Sequence, residues 1–259
     1  MNLIKKFSNY FSVNEKQERP FIIWTLRRTG GTNLAESLFK ASKYNAIEHE
    51  PFNLDRKLGY IHKQWRENQN HWQLRKNLKQ ALQNKPLIKH CVEITPNEFN
   101  VSLIKIATKL GYQHIFLYRE FPKDRLLSLN FAIQTGIWGS KKRDDFDHSI
   151  FSSPINIEHL IKDEVHCRNH LKFVFNAVKN KKRTHCISFE QLYTSNKEQV
   201  LNILENIFIY IGLQHSSIEN FYHEVIGSGN LGTKNIYKNF VNYGEFESAM
   251  AQFKQFKLP

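Results

Sequence analysis

Phe21-Ile22-Ile23-Trp24-Thr25-Leu26 is a short, unbroken apolar run, and it leads straight into Arg27-Arg28-Thr29-Gly30-Gly31-Thr32-Asn33. A run of this length, rich in β-branched and aromatic residues, predicts a strand buried on both faces. From Thr32 onward, Leu34, Ala35, Leu38 and Phe39 recur at helical spacing. The order is therefore strand, glycine turn, helix. Gly30 and Gly31 let the backbone turn sharply, so the first amides of the helix converge on one place. With the positive end of the helix dipole they make an anion site. Arg28 adds a fork of donors suited to phosphate or sulfate oxygens, with Arg27 beside it. Thr29 and Thr32 add hydroxyl donors.

The same alternation continues along the chain. Pro86 to Val92, His114 to Tyr118 and Thr184 to Phe189 predict three more strands. Helices are predicted over residues 97 to 110, from the third strand to about 134, over 155 to 180 and over 196 to 211. Short apolar strands alternating with helices imply an α/β fold: a central parallel sheet with helices on both faces. One domain is expected over residues 1–259, with its core at about 20–250. Residues 55–84, rich in Gln, Asn, Lys and Arg, read as a polar helical insertion, a surface layer or a lid.

Composition narrows the partners. Thirty-seven Lys and Arg against 24 Asp and Glu leave a net charge of +13, which favours anionic ligands. Cys91, Cys167 and Cys186 are odd in number and far apart, which fits a reducing, cytoplasmic setting rather than a disulfide scaffold. The first residues lack the apolar core of a signal peptide, and no run approaches a membrane span. Leu3, Ile4, Phe7, Tyr10 and Phe11 would share one helical face beside lysines. Such a face suits weak peripheral membrane contact or, more simply, packing on the protein's own body. His166 and His170 lie one helical turn apart, but no third ligand has a matching spacing, so no metal site is expected. The oligomeric state is left open.

The nucleoside-triphosphate loop pattern requires Lys followed by Ser or Thr after its last glycine. Here Thr32-Asn33 follows instead. The segment Arg28-Thr29-Gly30-Gly31-Thr32-Asn33-Leu34-Ala35-Glu36-Ser37-Leu38 resembles the 5′-phosphosulfate loop of sulfotransferases that use 3′-phosphoadenosine 5′-phosphosulfate (PAPS). It is most similar to the bacterial branch that contains trehalose sulfotransferase. The family usually has Ser or Thr where this chain has Gly31. The resemblance implies a P-loop-like sulfotransferase fold in which Arg28 and the loop from Thr29 to Asn33 hold the 5′-phosphosulfate. It also implies that Glu36 is the general base. Arg119, ending the third strand, and Ser128 nine residues later resemble the family's 3′-phosphate pair. Weaker similarity extends to His49-Glu50-Pro51-Phe52, Ser188-Phe189-Glu190-Gln191-Leu192 and Val241-Asn242-Tyr243-Gly244-Glu245-Phe246.

The implied activity is cytoplasmic sulfuryl transfer from PAPS to an acceptor hydroxyl, on a carbohydrate, glycoconjugate or glycolipid, without a metal. His49, Glu50, Lys89, His90 and Glu93 are candidates for the acceptor side. Two other readings compete: a P-loop kinase-like phosphotransferase, and a basic nucleic-acid-binding protein. The second would show clustered Arg among aromatic platforms, whereas the lysines here are scattered, so no specific nucleic-acid partner is expected.

Overall fold

The computed structural model describes residues 17–138, 146–214, 217–227 and 236–259. Among the described residues there are four strands: β1 (Phe21–Thr25), β2 (Ile88–Cys91), β3 (Gln113–Tyr118) and β4 (Thr184–Ser188). They form one parallel sheet in the order β2-β1-β3-β4. The helices are α1 (Gly31–Ala41), α2 (Gly59–Asn68), α3 (His71–Ala81), α4 (Asn97–Lys109), α5 (Lys123–Thr135), α6 (Ile157–Ala177), α7 (Phe189–Tyr193), α8 (Lys197–Ile211), α9 (Ile218–Gly227) and α10 (Tyr243–Met250). The chain is thus α/β, and each predicted strand falls within two residues of its observed bounds.

Every residue of β1 is buried because both faces of the sheet are covered. Its side chains alternate. Phe21 and Ile23 pack with Leu34 and Leu38 of α1, Leu204 and Ile207 of α8 and Phe221 of α9. Ile22 and Trp24 pack on the other face with Phe99 and Leu103 of α4 and Leu171 and Val174 of α6. A third apolar cluster joins Leu126 and Phe131 of α5, Leu160 of α6 and Phe246 and Met250 of α10. Trp24 also donates from its indole N–H to His114 Nδ1 at 3.0 Å, so its one polar atom is satisfied inside the core.

The polar stretch 55–84 forms α2 and α3. Trp65, Leu74, Leu78 and Leu82 are buried in the same cluster as α4, so this segment is a packed outer layer and not a hinged lid. Helices α7, α9 and α10 were not anticipated. The apolar face at Leu3 to Phe11 lies outside the described residues. Among the described residues, no helix is long and apolar enough to cross a membrane.

The strand order positions the site. From β1 the chain moves outward to β2, then crosses back to place β3 on the other side of β1. Ligands of open parallel sheets sit at the carboxyl ends of the strands where the order reverses. Here that place lies between the ends of β1 and β3, beyond Thr25 and Tyr118.

Candidate functional site

The loop leaving β1 is held by atoms from distant parts of the chain. The backbone N–H of Arg27 donates to Glu93 Oε1 at 2.6 Å, and Arg27 Nε donates to the same oxygen at 3.3 Å. The Arg27 carbonyl accepts from Arg125 Nη1 at 3.3 Å. Tyr193 Oη donates to the Gly30 carbonyl at 2.9 Å. Gly30 caps α1 in a left-handed conformation (φ 78°), and a Cβ there would stand 2.9 Å from the Phe189 ring. Glycine is required on both counts. A Cβ on Gly31 would meet Thr25 Cγ2 at 3.2 Å and Lys89 Cε at 3.5 Å, so the absence of a side chain at Gly31 lets the start of α1 sit close to the end of β1. No side chain caps the start of α1, and its first turn carries no acidic residue. Its leading amides and dipole are therefore oriented for an anion.

Arg28 has φ 64°, a left-handed conformation that is strained for a residue with a side chain. Its Nε and Nη2 both donate to Ser128 Oγ, at 2.9 and 2.7 Å, and its Nη1 donates to the Trp138 carbonyl at 2.8 Å. The loop arginine and the downstream serine are thus in direct contact. Thr29 is buried, and its hydroxyl has no hydrogen-bond partner. Thr32 is exposed and receives Lys89 Nζ at 3.4 Å. Asn33 is half-buried on the first turn of α1.

Arg119 stands at the exit of β3 with its side chain only 11% exposed. Its Nε has no hydrogen-bond partner, and its guanidinium carbon lies 3.5 Å from the Phe189 ring centroid. The nearest carboxylate, Asp124, is 3.9 Å away. Burial pulls its pKa down to about 10 against the opposing charges of Asp124 and Glu190, so it remains a cation at neutral pH. Ser128 is the sixth residue of α5 and also receives Tyr237 Oη at 3.4 Å. Glu190 accepts the Glu120 backbone N–H at 3.0 Å and holds the turn beyond Arg119.

The acceptor-side candidates divide. Glu36 is on α1, its side chain 53% exposed, with one carboxylate oxygen 3.2 Å from His49 Nε2. Lys89 is 7% exposed and donates to Glu50 Oε1 at 2.6 Å, while Cys91 Sγ donates to that oxygen at 3.2 Å. Burial disfavours charge on both groups. The pair outweighs it, holding Glu50 below and Lys89 above their ordinary values. Lys89 and Glu50 stand beside the start of α1 through the Lys89–Thr32 contact, while Glu36 and His49 make a separate pair one turn further along α1.

His90 and Glu93 do not join them. His90 is fully enclosed, with Nε2 against Asn100 Oδ1 at 2.7 Å, and burial drives its pKa down to about 4. It is a neutral core residue because its side chain points into the α4 face of the sheet. Glu93 is a brace for the Arg27 amide. Burial raises its pKa against the pull of that amide.

Sequence reasoning missed Arg125, which is 1% exposed and pairs with Glu164 and, at 3.7 Å, Asp163. Arg168 donates to Glu164 at 2.6 Å, so one buried carboxylate joins two arginines behind the loop. Phe189 and Tyr193 were missed as well. Their only signal was the local similarity around Ser188-Phe189. Among the described residues, no group of three or more His, Cys, Asp and Glu is placed to hold a metal ion.

The fold and loop define an α/β protein with an anion-oriented turn at the reversal point of its sheet. In comparisons with known proteins the chain matches no family model and no curated sequence.

Proposed function

We propose that the chain is a PAPS-dependent sulfotransferase acting on an acceptor hydroxyl, with carbohydrate or glycoconjugate as the acceptor class. The observation that carries this reading is the Arg28–Ser128 contact beside Arg119, at the reversal point of the sheet. Two segments about a hundred residues apart, each resembling half of a PAPS site, meet there. The cationic Arg119, whose Nε–H finds no acceptor in the protein, and the unpartnered Thr29 hydroxyl fit a ligand with two separate anionic groups.

In this reading Arg28 and the amides opening α1 hold the 5′-phosphosulfate, with Arg27 and Thr29 to Asn33 shaping the turn. Arg119 and Ser128 hold the 3′-phosphate. The acceptor oxygen bonds to sulfur while the bond from sulfur to the bridging phosphate oxygen breaks. The leaving group is adenosine 3′,5′-bisphosphate, and the acceptor proton goes to the Glu36 carboxylate. Catalysis rests on positioning and on neutralising charge at the leaving oxygen. Lys89, against Thr32, adds a second cation on that side.

Calorimetry with adenosine 3′,5′-bisphosphate, AMP and ATP with Mg²⁺ tests the reading. Binding of the bisphosphate well above AMP is expected. Equal affinity for the two would remove the Arg119 assignment, and selective magnesium-dependent ATP binding would point to a phosphotransferase.

A further inference from the structure

The turn that follows Arg119 is held at both edges. The Glu120 N–H donates to Glu190 Oε2 at 3.0 Å. The Glu120 carbonyl accepts the Phe256 N–H at 2.9 Å and Arg168 Nη2 at 3.4 Å. The segment that brings Phe256 is itself tied to Arg168. Arg168 Nη1 donates to the Lys254 carbonyl at 3.1 Å, and its guanidinium carbon lies 5.0 Å from the Phe256 ring centroid. Phe256 is buried and packs edge-on against Tyr118, the last residue of β3. One guanidinium therefore holds both the Glu120 carbonyl and the segment that packs over it.

The same guanidinium is linked to the loop after β1. Arg168 Nε donates to Glu164 Oε1 at 2.6 Å. Arg125 Nε donates to the other oxygen, Oε2, at 3.0 Å, and Arg125 Nη1 reaches the Arg27 carbonyl at 3.3 Å. A planar carboxylate that gives one oxygen to each guanidinium fixes the two relative to each other. Glu164 thus connects the loop of Arg28 to the turn of Arg119, through side chains of α5 and α6. Stability alone does not account for such a cluster, because buried ion groups are often replaceable by apolar side chains without loss. What apolar packing cannot supply is direction. Here the outer donors end on backbone carbonyls next to Arg28 and next to Arg119.

We propose that Glu164 and Arg168 are positioning residues that set the spacing between the two anion subsites, so that a ligand with two anionic groups meets both at once. This rests on the reading of the Arg28 loop and Arg119 as two halves of one nucleotide site. The gain from two linked contacts exists only while the subsites match the span of the ligand.

Arg168→Lys is the key variant. An ammonium keeps the charge pair with Glu164 one helical turn away, but it lacks the planar fork that also reaches the Glu120 and Lys254 carbonyls. The link from Arg125 to the loop is untouched. Calorimetry compares adenosine 3′,5′-bisphosphate, which spans both subsites, with AMP, which carries the 5′-phosphate alone. The variant should bind the bisphosphate about tenfold more weakly than the wild type, the worth of one charge-assisted hydrogen bond, and AMP equally well. Amide hydrogen exchange on the nucleotide-free protein should be faster at Glu120 and Phe256 and unchanged at Arg27, whose N–H is held by Glu93. An equal loss for both nucleotides would show general loosening. Unchanged bisphosphate affinity, or unchanged exchange at Glu120 and Phe256, would show that other contacts fix the turn. Any of these results, on a wild type that prefers the bisphosphate, overturns the proposal alone. A wild type that binds the bisphosphate no better than AMP would instead remove the Arg119 half of the sulfotransferase reading, and the spacing role with it.

Discussion

The Phe189 ring separates Arg119 from Gly30: the guanidinium carbon lies 3.5 Å from its centroid, and its edge occupies the space a Gly30 side chain would need. One aromatic residue at the end of β4 therefore sets the spacing between the turn and the downstream cation. Phe189→Ala should weaken adenosine 3′,5′-bisphosphate binding by roughly 2- to 30-fold, the range of a partly desolvated cation–π contact. Calorimetry on the variant checks this, and an unchanged affinity would show that Arg119 is positioned by other contacts.

Arg28 separates charge from backbone strain. Arg28→Ala and Arg28→Gly both remove the guanidinium that reaches Ser128 and the Trp138 carbonyl, so both should weaken donor binding and turnover. Only the glycine variant relaxes the φ of 64°. It should be more stable than the alanine variant by about 1 kcal/mol. Urea unfolding of the two proteins measures the difference.

Glu36 is expected to act in turnover alone. Glu36→Gln should keep the affinity for adenosine 3′,5′-bisphosphate and lose roughly 10²-fold or more in sulfuryl transfer, as for a missing general base. His49→Ala, which removes the imidazole 3.2 Å away, should have a smaller effect in the same direction. Normal turnover by Glu36→Gln with a good acceptor would move the base to the Glu50 and Lys89 pair or to His49.

The buried histidines predict acid sensitivity. Burial depresses His90 and His170 to about 4 and His114 to about 3. The unfolded chain takes up these protons near the ordinary value of about 6.5 while the folded chain refuses them. The stability present above pH of about 6.5 is therefore lost as pH falls toward about 4, by about 3 kcal/mol for the fully enclosed His90 and by less for His170, which solvent screens. Urea midpoints should drop steeply between about pH 7 and about pH 5, before most carboxylates titrate. A flat profile over that range would contradict the enclosure of these rings.

Arg125 and Glu164 are each almost wholly buried and paired. Arg125→Met strands the Glu164 carboxylate with Arg168 alone and frees the Arg27 carbonyl. A loss of about 3–5 kcal/mol is expected, as for breaking one side of a buried pair. Chemical denaturation gives the value, and a change under about 1 kcal/mol would show the network to be dispensable.

Much of this was readable locally. The β1 run, the glycines and Leu34, Ala35 and Leu38 are adjacent in sequence, and their periodicity carries both the strand and the helix. The loop's supports were not readable, because burial of an isolated polar residue is a tertiary property. Arg125 looks like any helix cation, and Glu164 like any residue of a polar helix. His90 and Lys89 are neighbours on β2, yet strand alternation sends them to opposite faces, one into the core and one toward the loop. Which face was which depended on the strand order, and no local pattern encodes that order.

The bonds that shape the turn are nearly all remote in sequence: Arg27 to Glu93, Arg125 to Arg27, Arg28 to Ser128 and Tyr193 to Gly30, the last spanning 163 residues. Contacts of such separation form only after the entropy of closing large loops has been met, so they belong to the late stages of folding. Helices, whose contacts are local, can exist before the turn is complete, whereas the strand pairs are themselves 66 to 92 residues apart and close on the same scale. Any ligand of that turn recognises only the fully assembled chain and stabilises it by mass action. In a variant that retains its secondary structure, loss of ligand-induced thermal stabilisation would be the first sign that the two halves of the sheet have stopped closing on each other.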